Sequence, residues 1–269
     1  MVLKRNSFLT SLGHWEVKEQ DNLDLDEIRL RFFDLPQRMS NLANQLDEYG
    51  KIFLLSQSVQ MVLGGLKCGA TIYFDNNLIK EFERRRMIEG FDAQNISSLL
   101  FEHFHLCLTD ALDQQSPAVS KYYLYNPELL RKISAKVKAL DQYRGEDINE
   151  WIERQIHKGL TKCYVKGMIN GYPISAVKQH DQYQNDNACR IDQRRVINNY
   201  GESYVVWGKQ LKRDVRIRES VKDAFFTNLS ANQVYRDLIA QLNSQAMKYR
   251  QISQYNFERM ISLSSTVEL

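Results

Sequence analysis

The chain has 269 residues, 43% of them hydrophobic and 26% charged, with a formal net charge of +3. That length buries a substantial core, and this balance of apolar and charged residues excludes a disordered or fibrous chain. So small a net charge permits nucleic-acid binding without requiring it, and only 4 prolines and 12 glycines favour helix over long linkers.

Cys68, Cys107, Cys163 and Cys189 form no Cys-x-x-Cys pair, so neither a structural zinc site nor a disulfide framework is implied. The opening Met-Val-Leu-Lys-Arg-Asn-Ser lacks the apolar run and cleavage site of a signal peptide. The most apolar stretch, 52–66, is interrupted by Ser56, Gln57, Ser58 and Gln60, and is too short to span a bilayer. A cytoplasmic protein without membrane association is expected.

The first thirty-odd residues are polar and partly acidic (Asp21, Asp24, Asp26, Glu27), and Asp34-Leu35-Pro36 marks a break. From 37 to 66 apolar residues recur at helical spacing: Met39, Leu42, Leu46, Tyr49, Ile52 and Phe53. Gly50 is expected to divide this stretch into two helices, and Gly64-Gly65 to end the second. Thr71, Ile72, Tyr73 and Phe74 then alternate polar and apolar, a strand that buries Ile72 and Phe74 and shows Thr71 and Tyr73. A strand this short cannot stand alone in water, and is expected to pair with its equivalent in a second copy.

Asp75 is placed to start a helix with Leu78, Ile79 and Phe82 on its inner face. Gly90-Phe91-Asp92 reads as a turn and cap, before a second helix whose inner face is Ile96, Leu100 and Phe101. Asn126-Pro127-Glu128 is a helix start, with Asn as cap and Pro in the first turn, leading into Leu129, Leu130, Ile133, Val137 and Leu140. Another helix is expected over 146–158, with Ile148, Trp151, Ile152 and Ile156 on one face and Gly159 as its stop. Tyr164-Val165 and Tyr204-Val205-Val206 read as strands, and 179–195 as a polar surface loop.

From 190 to 222 the basic residues Arg190, Arg194, Arg195, Lys209, Lys212, Arg213, Arg216, Arg218 and Lys222 face Asp192, Glu202, Asp214 and Glu219. This is the densest basic region, readable as a phosphate-contact surface or as a solvated face. Within it Lys212, Asp214, Arg216 and Arg218 alternate with Arg213, Val215 and Ile217, as on a strand. Residues 219–226 suit a short helix. Ser230-Ala231-Asn232-Gln233 reads as a capping box, followed by Val234, Leu238, Ile239 and Leu242 on one face.

Strand, helix, glycine-containing turn, cap and second helix, in that order over about forty residues from Lys67, resemble the ribbon-helix-helix family of DNA-binding proteins. The second basic segment, 212–243, resembles the family in its chemistry, although twelve positions between Arg218 and Ser230 fall short of the family's usual span. The resemblance implies a mainly α fold, with a ribbon-helix-helix module embedded in a larger helical body and a dimer formed through paired strands. It also implies that outward side chains enter the major groove: Lys67, Thr71 and Tyr73 in the first segment, or Lys212, Asp214, Arg216 and Arg218 in the second. Asp92 would leave the amides of the second helix free to approach a phosphate.

The expected regions are 1–66, helical; 67–110, the first candidate module; 111–206, a helical body with a polar loop; and 207–269, the basic strand-helix region. The expected partners are double-stranded DNA, a second copy of the chain and, for a regulator, RNA polymerase. The layout resembles transcriptional regulators of conjugative plasmids and integrative elements. Two alternatives stand beside it: a DNA-binding accessory protein of a relaxosome or partition complex, and a dimeric interaction protein that ignores DNA.

Arg84-Arg85-Arg86 fans out around its helix and reads as solvated charge. His103 and His105, two apart on a helix, cannot chelate one ion together, and His103 or His105 is expected against the core. No phosphate loop, nucleophile elbow or metalloprotease motif is present, so neither an enzyme nor a cofactor is expected.

Overall fold

A computed structural model of the protein describes residue 28 and residues 31–86, 88–112, 117–184, 194–197, 203–206 and 208–250. It is mainly helical and built around one three-stranded antiparallel sheet. Helix α1 (Leu35–Gln45) opens with Pro36 in its first turn, where a missing N–H costs nothing, and buries Leu35, Met39, Leu42 and Ala43. The division from α2 (Glu48–Phe53) comes at Leu46-Asp47 and not at Gly50. The Asp47 carboxylate accepts from Gly50 N at 2.6 Å and so starts the second helix three residues earlier. Helix α3 (Gln57–Leu63) ends at Gly64, and Gly65 turns the chain with φ +76°. No helix among the described residues is long and apolar enough to cross a membrane.

Strand β1 (Gly69–Asp75) buries Ile72 and Phe74. The Asp75 side chain accepts from Asn77 N and Leu78 N, starting α4 (Asn76–Arg84), whose inner face is Leu78, Ile79 and Phe82. Asp92 caps α5 (Ala93–Phe104) in the same way; Ile96, Leu99, Leu100 and Phe104 are buried. Phe101 instead stands 57% exposed. At 100° per residue, Ile96, Leu100 and Phe104 already define the inward stripe, and Phe101 lies off it.

After α5 the chain returns as β2 (Cys107–Asp110) and then β3 (Val119–Tyr125), giving the strand order β1-β3-β2. One edge of β1 pairs with β3 of the same chain, with Ile72 opposite Tyr122 and Phe74 opposite Ser120. Alternation along the strands sends Ala70, Ile72, Phe74, Leu108 and Leu124 to one face and Tyr123 and Tyr125 to the other. Each face meets its own hydrophobic cluster, so the sheet is a central layer covered on both sides.

The second cluster is built by α6 (Pro127–Lys136), α7 (Ile148–His157), α8 (Lys162–Ile169) and α9 (Ile174–Gln184). Helix α6 starts as expected, with the Asn126 side chain accepting from Glu128 N and Leu129 N. Helix α7 buries Ile148, Trp151 and Ile152, and Gly159 stops it with φ +94°. Tyr164-Val165 forms no strand. Thr161 caps α8 by accepting from Tyr164 N, and both residues are buried along the helix.

Beyond α9 come β4 (Arg194–Ile197), β5 (Ser203–Val206), α10 (Gly208–Ala231) and α11 (Gln233–Arg250). The last two helices close the first cluster with Val221, Phe225, Phe226, Leu229, Tyr235, Leu238 and Leu242. Asn232, not Ser230, starts α11 by accepting from Tyr235 N, and Tyr235 takes the inward position expected of Val234, which is 38% exposed. The Tyr235 hydroxyl donates to Gln60 Oε1 at 2.7 Å, and Gln60 Nε2 donates to Leu54 O at 2.8 Å. A buried polar chain thus ties α11 to α3, with donors and acceptors matched.

Candidate nucleic-acid interface

Thr71 and Tyr73 lie half-buried on the face of β1 opposite Ile72 and Phe74, as the alternation demands. Tyr73 sits opposite Lys121 on β3, whose ammonium lies 5.7 Å from the tyrosine ring centroid. Beside it, Lys166 of α8 lies 5.9 Å from the Tyr123 ring. Cation and ring attract through the ring's quadrupole, so this part of the sheet face is cationic and aromatic together.

The free edge of β1 is partly covered. The Asn170 side chain, 2% exposed, accepts from Thr71 N at 3.2 Å, on the edge where a second ribbon strand would pair. Lys67 departs from its expected groove-facing position: it is 2% exposed, just ahead of β1. Its methylenes pack against Gly171, which holds φ +73°; a Cβ there would come 3.1 Å from Lys67 Cγ. Lys222 of α10 is buried next to it, and burial followed by the neighbouring Lys67 charge pushes its pKa well below the usual lysine range. Lys222 Nζ donates to Glu219 Oε1 at 3.3 Å. Lys67 thus belongs to a buried joint between β1 and α10.

The Asp92 carboxylate accepts from Gln94 N at 2.9 Å and Asn95 N at 3.0 Å. The amides expected to meet phosphate are occupied by the cap itself. Arg84 and Arg85 are exposed and both bond Glu81, whose carboxyl they hold at about 2. His103 is half-buried with Nε2 2.8 Å from Gln45 Nε2, and His105 ends α5 in left-handed backbone, exposed. Among the described residues no cluster of His, Cys, Asp or Glu is arranged to hold a metal ion.

Lys212, Asp214, Arg216 and Arg218 lie within α10, not on a strand. The stretch 209–230 contains no glycine or proline, and from Val221 the buried positions Val221, Phe225 and Leu229 repeat at four. Residues 208–231 form one continuous helix, so the two-residue alternation of charge at 212–218 does not mark a strand. On a helix, 212 and 216 share one side while 214 and 218 share another.

The structure does contain a two-stranded ribbon in this basic region, at a place the sequence reading divided between loop and strand. β4 and β5 pair antiparallel, with Arg194 opposite Val206, Arg195 opposite Val205 and Val196 opposite Tyr204. β5 lies against α9 and α10, so the ribbon rests on two helices. Residues 190–222 carry nine basic and four acidic residues, an excess of five in a chain whose net charge is +3. Without the buried Lys222 and its neighbour Glu219, residues 190–218 still carry eight basic and three acidic residues, an excess of five. The sequence signal was present as Arg194-Arg195 and Tyr204-Val205-Val206; what joined them was the pairing. Residues 185–193 and 198–202 lie outside the described residues.

Comparison with protein-family models, with curated proteins and with solved structures gives no match.

Proposed function

We propose that the protein binds double-stranded DNA through the β4–β5 ribbon and the basic first half of α10, as a regulator of transcription. The observation that carries this reading is the excess of five positive charges in residues 190–218, a segment that includes the antiparallel β4–β5 ribbon and the first half of α10. A two-stranded ribbon fits the major groove, and clustered arginines displace the counterions condensed on phosphates. The order β1–α4–α5, with Asp75 and Asp92 as caps, supports the ribbon-helix-helix likeness, while pairing of β1 with β3 departs from it. Thr71 and Tyr73, half-buried on the sheet face that the second cluster covers, are not assigned to this interface.

The test is fluorescence anisotropy with a pool of random duplexes over a salt series. Affinity is expected to fall steeply with salt, with reproducible sequence enrichment at moderate salt. Replacing Arg194, Arg195 and Arg213 together with alanine should flatten the salt dependence, whereas Arg84→Ala should leave it unchanged. Absence of binding at low salt refutes the proposal. Enriched sites arranged as inverted repeats would report a second copy on the DNA, with RNA polymerase then recruited or blocked. Sites confined to a transfer origin would favour a relaxosome role.

A further inference from the structure

A groove of about 740 Å³ runs between α5 and β2, lined by no residue of the basic ribbon. Its lining includes Phe91, Phe101, Leu106 and Tyr122, and its charged members are Asp92 and Asp110. Tyr122 has its pKa pushed up to about 12 by burial and by the nearby Asp110 carboxylate, which its hydroxyl bonds. Two carboxylates and no cation make this a poor seat for a phosphate.

The wall formed by β2 is a sheet edge. Ala111 N donates to Lys121 O, and that bond fixes the parity of the β2–β3 ladder. Cys107 and Thr109 turn their backbone groups to β3; Leu108 and Asp110 turn theirs outward. Three outward groups are already engaged. Leu108 O accepts from Ser97 Oγ at 3.2 Å. Asp110 O accepts from Asn149 Nδ2 at 2.8 Å, and Leu112 N donates to Asn149 Oδ1 at 3.3 Å. Asn149 thus makes the two bonds that a residue of an added parallel strand would make. The N–H groups of Leu108 and Asp110 have no acceptor among the described residues.

We propose that this groove binds an extended peptide segment of another protein, laid along the edge of β2, with an apolar side chain against Phe101 and a lysine or arginine beside Asp110 and Asp92. Three features select that occupant. The two open amides call for backbone carbonyls at strand spacing, which an extended chain supplies. Phe101, 57% exposed on the wall of the groove, presents apolar surface that an aromatic or aliphatic side chain would cover. Two lining carboxylates with no cation beside them select a basic residue and disfavour an acidic one.

The probe is a phage-displayed library of random short peptides, selected on the full chain, with the enriched peptides resynthesised for anisotropy titration. Enrichment of sequences joining an apolar residue to Lys or Arg is expected, with at least tenfold weaker binding to Phe101→Ala and to Asp110→Asn. Both positions are exposed, and unchanged thermal melts would show that both variants fold. Hydrogen exchange gives a second readout: the Leu108 and Asp110 amides should exchange fast in the free protein and slow down with peptide bound. Failure to enrich, binding indifferent to both substitutions, or amides already protected in the free protein would each overturn the proposal. Because DNA binding is assigned to a different surface, loss of one activity leaves the other measurable.

Discussion

A methyl group at position 64 tests how tightly α10 is seated on the body. Gly64 ends α3 with φ −84°, ordinary right-handed backbone, so alanine there is free of conformational strain. Its Cβ would lie 2.6 Å from Phe225 Cε2, closer still to Cζ, and 3.2 Å from Leu35 Cδ2. Phe225 has nowhere to go: it is fully buried, with its ring centroid 5.5 Å from that of Phe32 and 5.2 Å from that of Phe226. Overpacking of this kind costs roughly 1–3 kcal/mol. Alanine also narrows the unfolded ensemble, which offsets roughly 0.4–1 kcal/mol of that. A net loss of about 1–2 kcal/mol is expected for Gly64→Ala.

Phe225→Leu alone should cost roughly 1–2 kcal/mol, less than the 3–5 typical of Phe→Ala. In the double variant the smaller side chain frees the volume that the methyl needs. The combined loss should then fall short of the sum of the single losses by about 1 kcal/mol. Equilibrium urea unfolding reads all three variants as midpoint shifts at constant m value. A Gly64→Ala protein within about 0.5 kcal/mol of the parent, or single losses that simply add, would refute the close approach of Gly64 and Phe225.

Asp75→Ala and Asp92→Ala each remove an acceptor for two helix amides and should each lower stability by about 1 kcal/mol, measured by urea unfolding; no loss at either site would contradict the caps. Asn170→Ala leaves the Thr71 N–H without its acceptor on a sheet edge and should cost roughly 1–3 kcal/mol. Hydrogen exchange should speed up at the Thr71 amide, and an unchanged rate would show that Asn170 does not cover this edge. Glu81 should titrate near 2 by NMR because Arg84 and Arg85 bond its carboxylate. Its folded pKa lies below the ordinary glutamate value, so its stabilising contribution is full above that value and is lost as pH falls through about 2. Replacing Arg84 and Arg85 together with alanine should return the midpoint toward that of an ordinary glutamate.

The helix starts at Asp75, Asp92 and Asn126 and the stop at Gly159 were legible because caps and stops act over four or five residues. The inward alternation of Ile72 and Phe74 was legible for the same reason. The candidate interface was legible as charge, since Arg194, Arg195 and the 209–218 cluster stand out in any reading of the chain. Its form was not. The alternation at 212–218 suggested a strand, but the segment is the first half of a helix whose later residues Val221, Phe225 and Leu229 are buried in the first cluster. Local propensity there yields to packing.

By itself, then, the amino-acid order determined where the helices after Asp75, Asp92 and Asn126 begin, which residues of β1 face inward, and where positive charge gathers. Only the tertiary structure decided that β1 pairs along one edge with β3, some fifty positions later in the chain. Only it buried Lys67 against Gly171 and Lys222, and left Phe101 in the open. The physical reason is range. Capping and periodicity involve neighbours whose contact costs little loop entropy, whereas strand pairing and burial depend on which distant surfaces meet.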